Sequence, residues 1–203
     1  HNPKEYNGFK IQKEKAHPIY AENGLYKIRD IALSGKFNLS KKKTEVHKED
    51  VIDSYIDHLS RITYLSRPLK VVIDCGNGVC GSIPQRIFER LGCEVITIYG
   101  EPDGDFPNHI ADPHDESTMV DLQKAVAEHN ADLGIAYDGD GDRFGVVDRK
   151  GRIISGDNLV MMLARKALNR TRGTVVVEVR TSLAMLEDIK EHGGEPVISK
   201  AGH

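Results

Sequence analysis

Short apolar runs with strand character alternate with helical patterns along most of this 203-residue chain. This alternation predicts an α/β fold with a largely parallel or mixed sheet. The predicted strands share a β-rich apolar composition: Leu69–Asp74, Glu94–Tyr99, Asp132–Tyr137, Phe144–Asp148, Ile153–Ile154, Thr174–Val179 and Glu195–Lys200. The predicted helices share apolar residues at helical spacing: 51–62, Ser82–Leu91, Met119–His129, Asp157–Asn169 and Ser182–His192.

The alternation does not extend to the first part of the chain, which suggests more than one domain. Residues 1–44 carry turn dipeptides and only short apolar runs, so we interpret them as the tail of a domain. The basic stretch near Ser40–Lys48 is the best candidate for a linker. Residues 45–152 form a second predicted domain, and residues 153–203 the start of a third. The chain therefore looks like a segment of a larger protein.

Composition excludes several classes of partner. Charged residues make up 29% of the chain and the net charge is −3, so neither nucleic acid nor an acidic membrane is an expected partner. No apolar stretch approaches the length of a membrane span, and no signal peptide is visible. The three cysteines form no CxxC pair, which is typical of a reducing compartment. We expect a cytoplasmic protein.

An acidic loop lies between two of the predicted strands. Asp138, Asp140 and Asp142 alternate with two glycines, and Arg143 follows them. Alternate side chains of an extended or looped backbone point the same way, so three carboxylates can converge on one hard cation. The arginine places a bidentate phosphate donor beside that ion. The loop predicts a divalent metal site that serves phosphoryl transfer.

Two other interpretations of this loop are possible. A calcium-binding EF-hand loop starts in the same way but needs Gly at its sixth position and Glu at its twelfth. Those positions hold Arg143 and Arg149 here. A solvated acidic turn is the second alternative, but three neighbouring carboxylates would repel one another without a cation. We therefore favour the metal site.

A glycine-rich segment supports a different function. Gly76–Gly81 satisfies GxGxxG directly after a predicted strand and before a helix, which is typical of a Rossmann-type NAD-binding domain. Against this, Asp74 would place its charge near the incoming pyrophosphate, and Ser82-Ile83-Pro84 suggests that the helix begins after the third glycine. NAD binding at Gly76–Gly81 is thus the alternative, and a tight structural turn is the simpler explanation of the glycines.

Five segments in the same order resemble the α-D-phosphohexomutases, most closely the bacterial phosphomannomutase/phosphoglucomutase group. The matching segments are His1–Pro3 with Tyr6–Lys10, Asp74–Gly78, Phe106–His109 with Asp112–Pro113, Asp138–Arg143 and Lys200–His203. The resemblance implies a four-domain protein in which the acidic loop belongs to the second domain. It also implies an isomerase that interconverts hexose 1-phosphate and hexose 6-phosphate by a phosphoserine relay, with a hexose 1,6-bisphosphate as intermediate and activator.

The resemblance assigns roles to particular residues. Asp138, Asp140 and Asp142 would bind Mg²⁺, and Arg143 would hold phosphoryl oxygens. Lys10 matches the candidate general acid/base of the family, and His1 would assist proton transfer. Arg180 and His203 would contact the phosphorylated hexose, although Arg180 stands where related sugar mutases carry a lysine.

The catalytic serine of the family has no counterpart in the sequence, because no serine precedes His1. The family's later sugar-recognition motif and its phosphate-binding fourth domain are also not matched. We therefore predict that residues 1–203 alone are inactive as a mutase. A regulatory metal-binding module without catalysis is a further possibility for the chain by itself.

Overall fold

The structure, a computed structural model, describes residue 6, residues 8–39 and residues 45–200. The described residues form two compact units that divide between Asp50 and Val51. His1 and His203, both predicted site residues, lie outside the described residues. Within the described part, no helix combines the length and the apolar character that crossing a membrane requires.

The described residues of the first unit include a short hairpin and an α-helix that a π-helical segment, Ala21–Leu25, precedes. Strands β1 (Gln12–Lys13) and β2 (His17–Pro18) pair antiparallel, and helix α1 spans Tyr26–Ser34. The helix ends at Gly35, which adopts the left-handed conformation with φ of 63°. Sequence patterns do not predict this helix, because Ser34-Gly35 is one of the turn dipeptides of residues 1–44 and a glycine that ends a helix gives the same signal.

The second unit is built around a five-stranded mixed sheet in the order β4-β3-β5-β6-β7. Strand β3 is parallel to both of its neighbours, whereas β6 pairs antiparallel with β5 and with β7. This confirms the predicted mixed α/β fold. The elements are α2 (Ile52–Ile62), β3 (Lys70–Asp74), α3 (Ile83–Arg90), β4 (Glu94–Ile98), α4 (Val120–Glu128), β5 (Leu133–Tyr137), β6 (Phe144–Asp148) and β7 (Ile153–Ile154).

Strand β3, which lies between β4 and β5, is buried on both faces. Val72 packs in a cluster with Leu122 of α4, while Val71 and Ile73 pack on the opposite face in a cluster that includes Phe88 of α3. Each fully buried Val or Ile contributes about 2 kcal/mol of hydrophobic stabilisation. Helices on both faces thus hold β3 in place, including its carboxyl end at Asp74, which lies next to the candidate site.

Gly134 brings β5 and α4 close together. A Cβ atom at this position would lie 2.7 Å from the side chains of both Leu122 and Val126. Such a distance is a steric clash, so only glycine allows the helix to approach the strand this closely. The acidic loop leaves the same strand four residues later.

The last part of the chain forms a second, two-stranded parallel sheet flanked by two helices. Its elements are α5 (Gly156–Leu168), β8 (Thr174–Glu178), α6 (Leu183–Glu191) and β9 (Glu195–Ser199). They pack around a separate cluster that includes Leu168, Met185 and Ile189. The predicted helices and strands of this region are confirmed, whereas the proposed domain boundaries stay a prediction.

Candidate metal centre

The acidic loop is the turn of a hairpin between β5 and β6. Tyr137 pairs with Phe144 at its base. Within the loop, the amide of Asp138 donates to the carbonyl of Arg143 at 3.2 Å, and the amide of Gly141 donates to the carbonyl of Asp138 at 3.1 Å. Gly141 has φ of 72°, a conformation that glycine adopts without strain. These bonds hold a loop of six residues between two paired strand ends.

The three predicted metal ligands come together in this loop. Carboxylate oxygens of Asp138, Asp140 and Asp142 all lie within 4.8 Å of one another. Asp138 is fully buried, whereas Asp140 and Asp142 are exposed. Carboxylate oxygens are the hard donors that Mg²⁺ prefers, and ligands from one side only leave coordination positions for water or a phosphate oxygen. The donor set therefore fits Mg²⁺.

Arg143 binds the buried carboxylate of the same loop. Its Nε donates to Asp138 Oδ2 at 2.6 Å, and its backbone amide donates to Oδ1 at 3.1 Å. Its side chain also lies 3.8 Å from Asp142 and 4.0 Å from Asp112. The hydrogen bond to Asp138 raises the pKa of Arg143, so the guanidinium stays charged. Because 38% of the side chain is exposed, the group can also meet an anion from solvent.

The glycine-rich segment packs against the backbone of the acidic loop. The amide of Val79 donates to the carbonyl of Gly139 at 3.0 Å. A Cβ atom on Gly78 would lie 3.0 Å from that same carbonyl oxygen, and one on Gly76 would lie 2.8 Å from the Cβ of Ala111. Helix α3 begins only at Ile83, after the third glycine, as expected. Close backbone packing thus accounts for these glycines.

A buried ion pair, not predicted from the sequence, lies at the end of β3. Asp74 is buried and accepts from the amide of Gly76 at 2.8 Å, while His109 Nε2 lies 3.0 Å from its other oxygen. The second ring nitrogen of His109 lies 2.9 Å from the carbonyl of Ile110. Both nitrogens face acceptors, an arrangement that favours the doubly protonated, cationic ring. The hydrogen bond to Asp74 raises the pKa of His109 accordingly.

This ion pair helps to hold the segment that contains Asp112 in place beside the acidic loop. Asn108 Nδ2 donates to Asn77 Oδ1 at 2.8 Å, and Asn77 Nδ2 donates to the carbonyl of Glu101 at 2.8 Å. The amide of Asp112 donates to the carbonyl of Ile110 at 2.8 Å. A carboxylate at the end of an otherwise apolar strand was the available sequence signal, but its partner was not identifiable from sequence alone.

The remaining predicted residues lie elsewhere. Lys10 is exposed and belongs to the unit that ends at Asp50, whereas the acidic loop belongs to the other unit. Arg180 follows β8 and forms an exposed ion pair with Glu178; its side chain is 79% exposed. The roles of Lys10 and Arg180, and those of His1 and His203 outside the described residues, stay predictions.

Fold and site together define an α/β protein with a carboxylate centre suited to a divalent cation and a phosphate. A family model described as phosphoglucomutase/phosphomannomutase, alpha/beta/alpha domain II, matches residues 53–151. The chain is 41% identical over 207 residues to the phosphomannomutase/phosphoglucomutase of Pseudomonas syringae pv. tomato and 40% identical over 204 residues to that of Pseudomonas aeruginosa. Both alignments cover 100% of this chain and 43% of the relative.

A solved structure agrees with these relatives. The X-ray structure of a phosphoglucomutase/phosphomannomutase family protein from Burkholderia thailandensis superposes with a TM-score of 0.85 at 35% identity, covering 91% of this chain and 40% of that one. Residues 53–151 thus belong to domain II of the phosphoglucomutase/phosphomannomutase family, and the chain is similar to phosphohexomutases over its full length. It spans about 43% of the length of the curated relatives it matches. Nothing in these comparisons supports the alternative of a Rossmann-type NAD-binding domain.

Proposed function

We propose that this chain works in a phosphohexomutase, an isomerase that interconverts hexose 1-phosphate and hexose 6-phosphate by a phosphoserine relay through a hexose 1,6-bisphosphate. The observation that carries the proposal is the convergence of Asp138, Asp140 and Asp142 within 4.8 Å, with Arg143 in the same loop. The names of the relatives at 40–41% identity support the same activity. The three free cysteines are in keeping with a cytoplasmic location.

The acidic loop would hold Mg²⁺ through Asp138, Asp140 and Asp142. When bound, the ion supplies positive charge against the negative charge that builds on a transferring phosphoryl group. Arg143 binds phosphoryl oxygens with the exposed part of its guanidinium and keeps the group oriented. Its bond to the buried Asp138 fixes the position from which it does so.

The remaining roles come from residues outside this loop. Lys10 acts as the general acid/base that takes a proton from the attacking sugar hydroxyl and returns it later. His1 assists this proton transfer. Arg180 and His203 contact the phosphorylated hexose, for which Arg180 would leave its exposed pair with Glu178.

A chimeric enzyme tests the proposal. This chain would replace the aligned segment of the Pseudomonas aeruginosa relative, and formation of glucose 6-phosphate from glucose 1-phosphate would be followed in a coupled dehydrogenase assay. We expect Mg²⁺-dependent turnover, and a decrease in kcat/KM of about 100-fold or more for Asp140→Ala, because that change removes a ligand of the charge-stabilising ion. Residues 1–203 alone should give no turnover.

Glu128→Gln is the matched control, because Glu128 is an exposed carboxylate at the end of α4, outside the loop. It should leave kcat/KM unchanged. Titration calorimetry of the isolated chain with Mg²⁺ provides a second readout that does not depend on catalysis. An active chimera that is indifferent to Asp140→Ala, together with unchanged Mg²⁺ affinity in the variant chain, would contradict the assignment of the loop.

A further inference from the structure

Cys75 directly precedes the glycine-rich segment that packs against the acidic loop, and Cys80 lies within that segment. The amide of Gly78 donates to the carbonyl of Cys75 at 2.7 Å, and the amide of Gly81 donates to the carbonyl of Gly78 at 3.3 Å. These two successive turns coil the chain back on itself. The thiol of Cys75 donates to the carbonyl of Gly81 at 3.0 Å, and Cys80 packs against the buried cluster that contains Cys75. The two thiols are therefore neighbours.

Only one of the two thiols faces an opening. Cys75 is buried, whereas Cys80 is partly exposed and lines a cavity of about 420 Å³. Most of the cavity wall is apolar or aromatic, and burial raises the pKa of Tyr137 in that wall to about 12, so its phenol stays neutral. Apolar side chains such as Leu59, Ile83 and Phe88 line it, and Asp140 and Gly141 of the acidic loop border it. A small uncharged solute can thus reach Cys80 without reaching Cys75.

The hydrogen bonds give the two thiols different chemical characters. The neighbouring Cys75 side chain and the backbone amides at positions 80 and 81 lower the pKa of Cys80. The neighbouring Cys80 side chain, together with burial, raises the pKa of Cys75. An accessible thiol with thiolate character beside a second thiol is the arrangement that reversible thiol oxidation requires.

We propose that Cys80 is a hydroperoxide-sensitive thiol and that Cys75 is its resolving partner. In the first step the Cys80 sulfur attacks one peroxide oxygen; an S–O bond forms, the O–O bond breaks, and hydroxide or alkoxide leaves and takes up a proton. In the second step Cys75 sulfur attacks the sulfur of the sulfenic acid at Cys80; the S–S bond forms, the S–O bond breaks, and the leaving hydroxide takes the thiol proton of Cys75 and departs as water. Two thiols lose two electrons and two protons, and the hydroperoxide is reduced by the same two electrons.

Oxidation of Cys80 would change the conformation of the acidic loop, because residues 79 and 80 contact the loop directly. The amide of Val79, next to Cys80, holds the carbonyl of Gly139 at 3.0 Å. A Cβ built on Gly141 would lie 3.2 Å from the Cβ of Cys80, so the two residues are in close contact. A disulfide requires the two sulfur atoms to approach to about 2.05 Å. Closing that distance moves residues 79 and 80, and with them their contacts in the loop.

Intact-mass measurement after treatment with hydrogen peroxide tests the thiol chemistry. The wild-type chain should lose two hydrogen masses, and dithiothreitol should restore them. Cys75→Ser should instead stop at the sulfenic acid, which dimedone traps at Cys80 in peptide mapping. Cys93→Ser is the matched control, because Cys93 is buried and has no part in the pair; it should behave like the wild type.

Oxidation that proceeds equally in Cys80→Ser, or a wild-type chain that gains oxygen masses without forming a disulfide, would overturn the proposal. The contact with the loop is tested separately by NMR without any metal. Disulfide formation should shift the amide signals of Gly139 and Gly141, and unchanged signals would refute the coupling. Both readouts hold whether or not the mutase proposal survives.

Discussion

Removal of His109 tests the buried ion pair at the end of β3. Asp74 and His109 have side chains that are only 1% and 15% exposed. His109→Ala leaves the carboxylate of Asp74 buried. Among the described residues, the amide of Gly76 still donates a hydrogen bond to it. Breaking a buried pair in this way costs about 3 kcal/mol, the lower end of the usual range, because water can reach part of the vacated space. With a urea m-value of about 2 kcal/mol/M, the midpoint should fall by about 1.5 M.

The cost should depend on pH in a defined direction. The hydrogen bond to Asp74 raises the pKa of His109 above its unfolded value of about 6.5. The stabilisation is therefore fully present below about pH 6.5 and is lost as pH rises through the folded-state pKa. Between these two pKa values, stability falls by about 1.4 kcal/mol per pH unit, since the folded state holds one more proton than the unfolded state.

The assay is urea unfolding at about 25 °C, followed by circular dichroism at about pH 5.5, 7 and 9. These pH values span the range in which His109 is expected to lose its proton. His129→Ala is the control, because His129 is exposed at the end of α4; it should change stability by less than about 0.5 kcal/mol. His109→Gln, which keeps one donor without charge, should lose less than His109→Ala and should show no pH-dependent loss. An equal difference between wild type and His109→Gln at all three pH values would refute the ion pair.

Three further changes test the contacts around the site. Gly78→Ala places a Cβ 3.0 Å from a carbonyl oxygen of the acidic loop and should weaken Mg²⁺ binding about tenfold in titration calorimetry, whereas Gly104→Ala, with open space around it, should not. Gly134→Ala drives a Cβ into α4 and should lower the unfolding free energy by about 2 kcal/mol in urea titration. Arg67 holds the pKa of Asp132 well below its usual range, so Asp132→Asn should lower the thermal midpoint at pH 7, and this difference should shrink below about pH 4.

Each of these expectations has a contradicting result. Equal Mg²⁺ affinity in Gly78→Ala and Gly104→Ala would mean that the glycine-rich segment does not support the acidic loop. Wild-type stability in Gly134→Ala would mean that α4 retreats at no cost. A thermal difference for Asp132→Asn that is the same at acidic and neutral pH would exclude the charge on Asp132 as its cause.

Local patterns predicted most of the second unit because its elements have strong periodicities. The β-rich run at Thr174–Val179 and the apolar run before Asp138 correspond to β8 and β5 within one residue or two. The acidic loop was also readable, since its three carboxylates lie within five consecutive residues and need no distant partner to converge. Such features depend on neighbours along the chain, which the sequence displays directly.

Features that depend on distant residues were not predicted. His109 and Asp74 are 35 positions apart, and only the fold brings their side chains to 3.0 Å. The approach of Asp112 to Arg143 depends on the same folded segment. Helix α1 was missed for a local reason, because a glycine that ends a helix and a glycine in a turn look alike in a sequence. The glycine-rich segment likewise matched a cofactor motif until its packing against Gly139 was visible.

The contact between Val79 and Gly139 also has a consequence for the order of folding. These residues are about 60 positions apart, and their hydrogen bond can form only after β3 and β5 have paired. A contact of such long range carries a loop-closure cost and forms slowly compared with helices and hairpins. The hairpin of β5 and β6 can close early, but the glycine-rich segment packs against its acidic loop only later. We therefore expect metal-binding competence to arise late in refolding, after helical signal has returned, so that metal uptake reports the completed parallel core.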